Sequence, residues 1–136
     1  MTCLLDTHYM LWTVANTKKL SKEIKEMITD PENTIVVSTI SFWEVSLKYA
    51  LGKIIITGFL PEDLPDACAQ MGFFIEPLSP FDSSRYHQLT AGYHKDPFDK
   101  MLIWQAIRNN YTLISNDSQI EQYVSEGLQL ISGRAS

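Results

Sequence analysis

Cysteine is scarce, long apolar runs are missing and basic side chains are outnumbered, and each shortage removes a class of answer. Two cysteines in 136 residues, Cys3 and Cys68, match neither a metal-binding spacing nor a disulfide framework, so they read as buried thiols in a reducing compartment. No stretch approaches the roughly 18 uninterrupted apolar residues of a membrane span. A first strand expected from Thr2 leaves no room for a charged leader with an apolar core, and the expected location is cytoplasmic. Six glycines include no glycine-rich turn after the first apolar run, which argues against a dinucleotide binder. His8, His87 and His94 form no helical i, i+4 pair and no cluster with cysteine, which argues against zinc. Eleven basic against sixteen acidic side chains give a net charge of -5, which argues against a protein holding nucleic acid by a broad basic surface. A nucleic-acid substrate would then need local positive charge, or metal ions, to offset that field.

What is present suits one domain over residues 1–136, because 45% hydrophobic content at this length supplies a core that needs no covalent staple. Thr34-Ile35-Val36-Val37-Ser38 is β-branched and continuous, as expected of a strand covered on both faces. Short strands are also expected at Thr2–Leu5, Phe73–Glu76, Thr112–Ser115 and Leu128–Ile131. Helical spacing marks Thr7–Ala15, Ser21–Ile28, Phe42 to about Leu51, a segment opened by Pro61, one from Ser79-Pro80 to about Thr90, Phe98–Arg108 and Gln119–Val124. Lys53 to Gly58 reads either as a short strand or as an extended linker. The alternation implies an α/β sandwich with a largely parallel central sheet of about five strands flanked by helices.

Acidic residues recur where the apolar runs end. Asp6 follows Cys3-Leu4-Leu5, Glu44 sits just past the second strand, Asp96 and Asp99 open an apolar helix, and Asp117 follows Leu113-Ile114-Ser115. In parallel α/β sheets ligands sit beyond the carboxyl ends of the strands, and these acids fall on that side. Asp30-Pro31-Glu32 precedes a strand, falls at the opposite edge and is assigned no role.

Each acid also has a simpler explanation as a helix cap. Ser41-Phe42-Trp43-Glu44 spells a capping box, and Asp96-Pro97-Phe98-Asp99 places an N-cap, a first-turn proline and a third-position acid. Asp6 directly ends a strand and needs no such role, and Glu44 is long enough to reach a neighbouring strand end, with Phe42 and Val45 or Trp43 and Leu47 anchoring its helix. Clustered carboxylates repel without a cation, and oxygen-only ligands suit magnesium or manganese.

The segments Leu4-Leu5-Asp6-Thr7-His8, Ser38-Thr39-Ile40-Ser41-Phe42-Trp43-Glu44-Val45, His94-Lys95-Asp96-Pro97-Phe98-Asp99-Lys100-Met101-Leu102-Ile103 and Leu113-Ile114-Ser115-Asn116-Asp117 resemble, in order and spacing, the PIN domain. Within it they are similar to the VapC-like toxin ribonucleases of type II toxin-antitoxin pairs. The resemblance implies a PIN-like three-layer sandwich in which Asp6, Glu44, Asp99 and Asp117 hold one or two magnesium or manganese ions. Asp96 joins them through water or serves only as a cap, and Thr7 and Ser41 are hydroxyls that fix the carboxylates. It also implies hydrolysis of RNA phosphodiester bonds, with the metal activating water and offsetting charge on phosphate, an antitoxin partner and a homodimer. Lys100 stands where this subgroup usually has arginine. Lys95 and Lys100 are the first candidates for phosphate contact, with His94 beside them, while Lys48 reads as an intrahelical partner of Glu44.

Two other readings compete. A phosphoacceptor receiver domain expects paired acids after the first strand and a lysine after a late one; Thr7-His8 and Ser115-Asn116-Asp117 supply neither. A non-catalytic PIN-fold interaction module would keep the fold and act only through a protein partner.

Overall fold

The computed structural model of the chain describes residues 1–89 and 96–133. Strands β1 (Thr2–Leu5), β2 (Thr34–Ser38), β3 (Phe74–Glu76), β4 (Thr112–Ser115) and β5 (Gln129–Ser132) form one sheet in the order β3-β2-β1-β4-β5. Every pairing is parallel, with Cys3 opposite both Ile35 and Thr112, and Leu4 opposite Val36 and Leu113. Helices α1 (Thr7–Ala15), α2 (Lys22–Thr29), α3 (Thr39–Ala50), α4 (Leu64–Gln70), α5 (Pro80–Arg85) and α6 (Pro97–Asn109) make the crossovers.

Side chains alternate across the sheet, so each strand feeds two cores. Leu4, Val36 and Leu113 meet Leu102, Ile103 and Ala106 of α6, together with Ile120 and Tyr123. Cys3, Leu5, Ile35, Val37 and Ile114 meet Tyr9 and Met10 of α1, Ile24 of α2, and Leu64 and Cys68 of α4. The result is the expected three-layer α/β sandwich, a sheet between two helical layers. Each fully buried Leu, Ile or Val contributes about 1.5–3 kcal/mol relative to exposure. Both cysteines are free and buried in the second core, where burial pushes the Cys68 thiol up to about 11.

Helix α6 is buried on most of its circumference, as its sequence implies, with Leu102 to Ala106 all buried. It ends where Asn110 adopts the left-handed conformation (φ 59°), which asparagine tolerates at a helix terminus. The sheet grows from β1 outward to β2 and β3, then returns to the other side of β1 for β4 and β5. The order therefore reverses between β1 and β4, creating a topological switch point beyond their carboxyl ends.

Boundaries differ from the sequence reading in several places. Helix α3 starts three residues before Phe42, because β2 runs into it without a loop and Ser38 caps it. Helix α5 stops at Arg85 and continues as a 3-10 turn to Gln88; Thr90 lies outside the described residues. Ser118–Glu126 is 3-10 rather than α-helical, while Lys53 to Gly58, read as either a short strand or an extended linker, forms no strand and takes the second alternative.

Candidate metal centre

Asp6 is the first residue beyond β1, and its N–H donates to Ile114 O of β4 at 3.1 Å, which places it over the switch point. Its carboxylate is not free of capping duty, contrary to the sequence reading. Asp6 Oδ1 accepts from Tyr9 N–H at 2.9 Å and caps α1, because a chain leaving a strand directly into a helix has no other residue at the cap position. Burial raises the pKa of this 5%-exposed carboxyl. The Tyr9 N–H, the Ser115 hydroxyl and the charge of His8 oppose that shift, while the charge of Glu44 adds to it.

Glu44 is the opposite correction. The Ser41–Glu44 capping box does not form, since α3 is already under way at Thr39, with Ser38 Oγ accepting from Ile40 N–H at 3.0 Å. Glu44 therefore lies in the second turn and caps nothing. It is 4% exposed. Its Oε1 accepts from the Thr7 hydroxyl at 2.6 Å, its Oε2 accepts from Lys48 Nζ at 2.5 Å, and Thr7 Oγ1 lies 2.9 Å from Ser41 Oγ. Thr7 and Ser41 thus occupy supporting positions around one carboxylate. Val45 and Phe42 anchor this stretch of α3 against the core, whereas Trp43 and Leu47 face outward.

Asp96 caps α6, accepting from Phe98 N–H at 2.9 Å and Asp99 N–H at 3.3 Å. Pro97 fits the first turn, where its missing N–H costs nothing. That cap fixes Asp99 one turn into the helix. Burial is the main reason that the Asp99 carboxyl is pushed up to about 7, and the charges of Asp96, Glu44, Asp6 and Asp117 add to it. Acids from four separate segments therefore share one electrostatic neighbourhood. Asp117 Oδ1 accepts from Gln119 N–H at 2.9 Å, and its own N–H donates to Ser115 Oγ at 3.2 Å.

Three contributors escaped sequence reading. Ser115 ends β4 and bonds toward both Asp6 and Asp117; the signal was a polar residue closing a strand next to β1. Gln105, wholly buried in α6, lies with Oε1 2.5 Å from Ser38 Oγ and so ties the helix bearing Asp99 to the cap of the helix bearing Glu44. Asp82 is also buried, but it is met by Arg108 at 3.6 Å and Asn109 at 3.3 Å and braces α5 to α6. Of the proposed phosphate contacts, Lys100 leans over the Tyr86 ring at 5.4 Å, while His94 and Lys95 lie outside the described residues. His8 is exposed beside Trp12, and His87 is exposed.

The donors fit a hard divalent cation in chemistry: they are all carboxylate, and a positive charge would relieve the repulsion that raises Asp99. Among the described residues, no three His, Cys, Asp or Glu side chains are already gathered tightly enough to grip an ion directly. Magnesium tolerates such openness because it keeps waters between itself and some ligands.

The chain is similar to solved toxin-antitoxin structures over nearly its whole length. It matches VapBC from Salmonella typhimurium, solved bound to DNA, at TM-score 0.68 and 16% identity, covering 97% of this chain and 98% of that one. It matches VapBC2 from Rickettsia felis, bound to a promoter DNA fragment, at TM-score 0.65 and 19% identity, again covering 97% and 98%. FitAcB from Neisseria gonorrhoeae follows at TM-score 0.61 and 18% identity, covering 96% and 97%. No curated protein matches the sequence. The family model described as the PIN domain matches residues 3–125, and this chain belongs to the PIN domain family.

Proposed function

We propose that the protein is a magnesium- or manganese-dependent endoribonuclease, the toxin of a type II toxin-antitoxin pair. PIN domains are nucleases, and the solved neighbours carry toxin-antitoxin names. The observation that carries the reading is Asp99, whose carboxyl is raised first by burial and further by the charges of four other acids, Asp96, Glu44, Asp6 and Asp117, drawn from separate segments around the switch point between β1 and β4. Isolated caps would not perturb one another in this way.

In this reading Asp6, Glu44 and Asp99 are the principal ligands and Asp117 a weaker or water-mediated one. Asp96 holds the first turn of α6 in place and adds charge. The bound ion supplies Lewis acidity at the phosphate and an activated water. The chain's own contribution is positioning. Thr7 orients Glu44, Ser115 steadies Asp6, and the Asp96 cap sets where Asp99 emerges. Lys100, Lys95 and His94 remain the proposed phosphate contacts.

An antitoxin would need an apolar docking surface, and α3 offers one. Trp43, Leu47 and Leu51 recur on one helix face with exposures of 60%, 38% and 59%, followed by Ile55 at 90%. No helix among the described residues is long and apolar enough to cross a membrane. We place the protein in the cytoplasm as a homodimer that the antitoxin silences.

The test is cleavage of a structured RNA with Mg²⁺ or Mn²⁺, with and without EDTA, followed by mapping of the ends. Loss of cleavage with EDTA and with Asp99→Asn supports the reading; metal-independent cleavage overturns it. The interaction-module reading draws on a specific observation, that both Glu44 oxygens are already engaged by Thr7 and Lys48. It predicts antitoxin binding with no metal-dependent cleavage at all.

A further inference from the structure

We infer that Lys48 is the resident counter-cation of the acidic pocket and competes with the divalent ion for Glu44. This rests on the metal-centre reading above and adds a regulatory element to it.

The argument starts from two ion pairs with the same i, i+4 spacing. Lys22 Nζ lies 4.0 Å from Glu26, with side chains 90% and 68% exposed, the loose geometry of a solvated surface pair. Lys48 Nζ lies 2.5 Å from Glu44 Oε2, with side chains 34% and 5% exposed. Equal spacing therefore produces two different interactions. The Lys48 ammonium also feels the charges of Asp96 and Asp99, which belong to α6 and its cap rather than to its own helix. A buried carboxylate whose cationic partner is removed is strongly destabilised. Among the described residues, Glu44 would be left with the Thr7 hydroxyl alone as its hydrogen-bond donor.

With Lys48 in place the metal-free pocket is partly neutralised and stays folded. The arriving ion must then take Glu44 from Lys48, which swings out through its exposed third. Lys48 thus weakens metal uptake while protecting the empty site. Repulsion between an ammonium and a divalent ion a few ångströms apart, at water-like screening, corresponds to about a tenfold change in affinity.

The experiment is calorimetric titration of Mn²⁺ into the full chain, paired with thermal melting in EDTA. The proteins are wild type, Lys48→Met, Lys48→Arg and Lys22→Met. Lys48→Met should bind Mn²⁺ about tenfold more tightly, melt at a lower temperature in EDTA, and gain more than wild type when Mn²⁺ is restored. Lys48→Arg keeps the charge and should stay within about twofold of wild type. Lys22→Met should change neither quantity. Lys48→Gln, uncharged yet able to donate to Glu44, serves if Lys48→Met does not fold. Unchanged or weaker Mn²⁺ binding in the uncharged variants, with normal wild-type uptake, overturns this inference and leaves the metal centre standing. Absence of uptake by wild type overturns the metal centre itself, and this inference with it.

Discussion

Two Asp-Pro segments begin alike and end at opposite fates. Asp30-Pro31-Glu32 leads into β2, and Asp96-Pro97-Phe98-Asp99 leads into α6. Both aspartates bond the backbone just ahead of them: Asp30 Oδ1 accepts from Glu32 N–H at 2.9 Å, and Asp96 Oδ1 accepts from Phe98 N–H at 2.9 Å. Local chemistry does not separate them. Strand direction does, because a residue before a parallel strand lies at the amino edge and one before the crossover helix lies at the carboxyl edge, where the sheet order reverses. Concavity points the wrong way here. A groove of about 840 Å³ opens at the amino edge, lined by Asp30, Pro31, Lys22 and Lys25, without any convergence of acids like that around Asp99.

The comparison breaks most sharply under substitution at the carboxyl edge. Asp6→Asn and Asp99→Asn should each reduce RNA cleavage by more than a hundredfold, beyond the roughly 10–100-fold cost of losing a supporting partner, and EDTA should abolish it. Cleavage rates on a defined RNA decide this, and equal losses in Asp30→Asn would erase the distinction between the two edges. Thr7→Val, which removes the hydroxyl holding Glu44, should fall in the 10–100-fold range. Asp117→Asn should be the mildest of the four ligand substitutions.

Acidity sharpens the same contrast. Asp99 has its pKa raised from 3.8 to about 7 in the fold, so it retains a proton that the unfolded chain releases. Its stabilising effect on the metal-free protein is complete below pH 3.8 and is lost as pH rises through about 7. Asp6, also raised, has the same sign. Melting temperatures in EDTA should therefore fall across that window, with a smaller fall in Asp99→Asn, while Mn²⁺ affinity climbs over the same range. A rising melting temperature would contradict the arrangement of charge. Asp30→Asn sits at the small end, with an expected stability change within about 0.5 kcal/mol, as for ordinary surface substitutions.

Much of the fold is legible in local pattern. The β-branched run of β2, the all-round apolar α6 and the Asp-Pro cap each encode their element within a few residues. Misreadings arose where two local rules compete. Ser38 and Ser41 both suit a cap, and the absence of a loop after β2 chose Ser38, freeing Glu44 to turn inward. Asp6 reads in sequence as a strand end alone, although a strand ending at Leu5 and a helix starting at Thr7 leave it as the one residue at the cap position. Ser118–Glu126 carries helical spacing but winds as 3-10.

Sequence alone determined which acids close which apolar runs, because alternation and β-branching fix strand ends over short range. Tertiary structure decided what those acids become. The order β3-β2-β1-β4-β5 brings residues as distant as Asp6 and Asp117 into the electrostatic neighbourhood of Asp99, whose own burial is the main cause of its raised carboxyl. Strand order arises from contacts between segments far apart in the chain, and no local stretch carries it; the raised carboxyl of Asp99 is therefore a property of the assembled sheet.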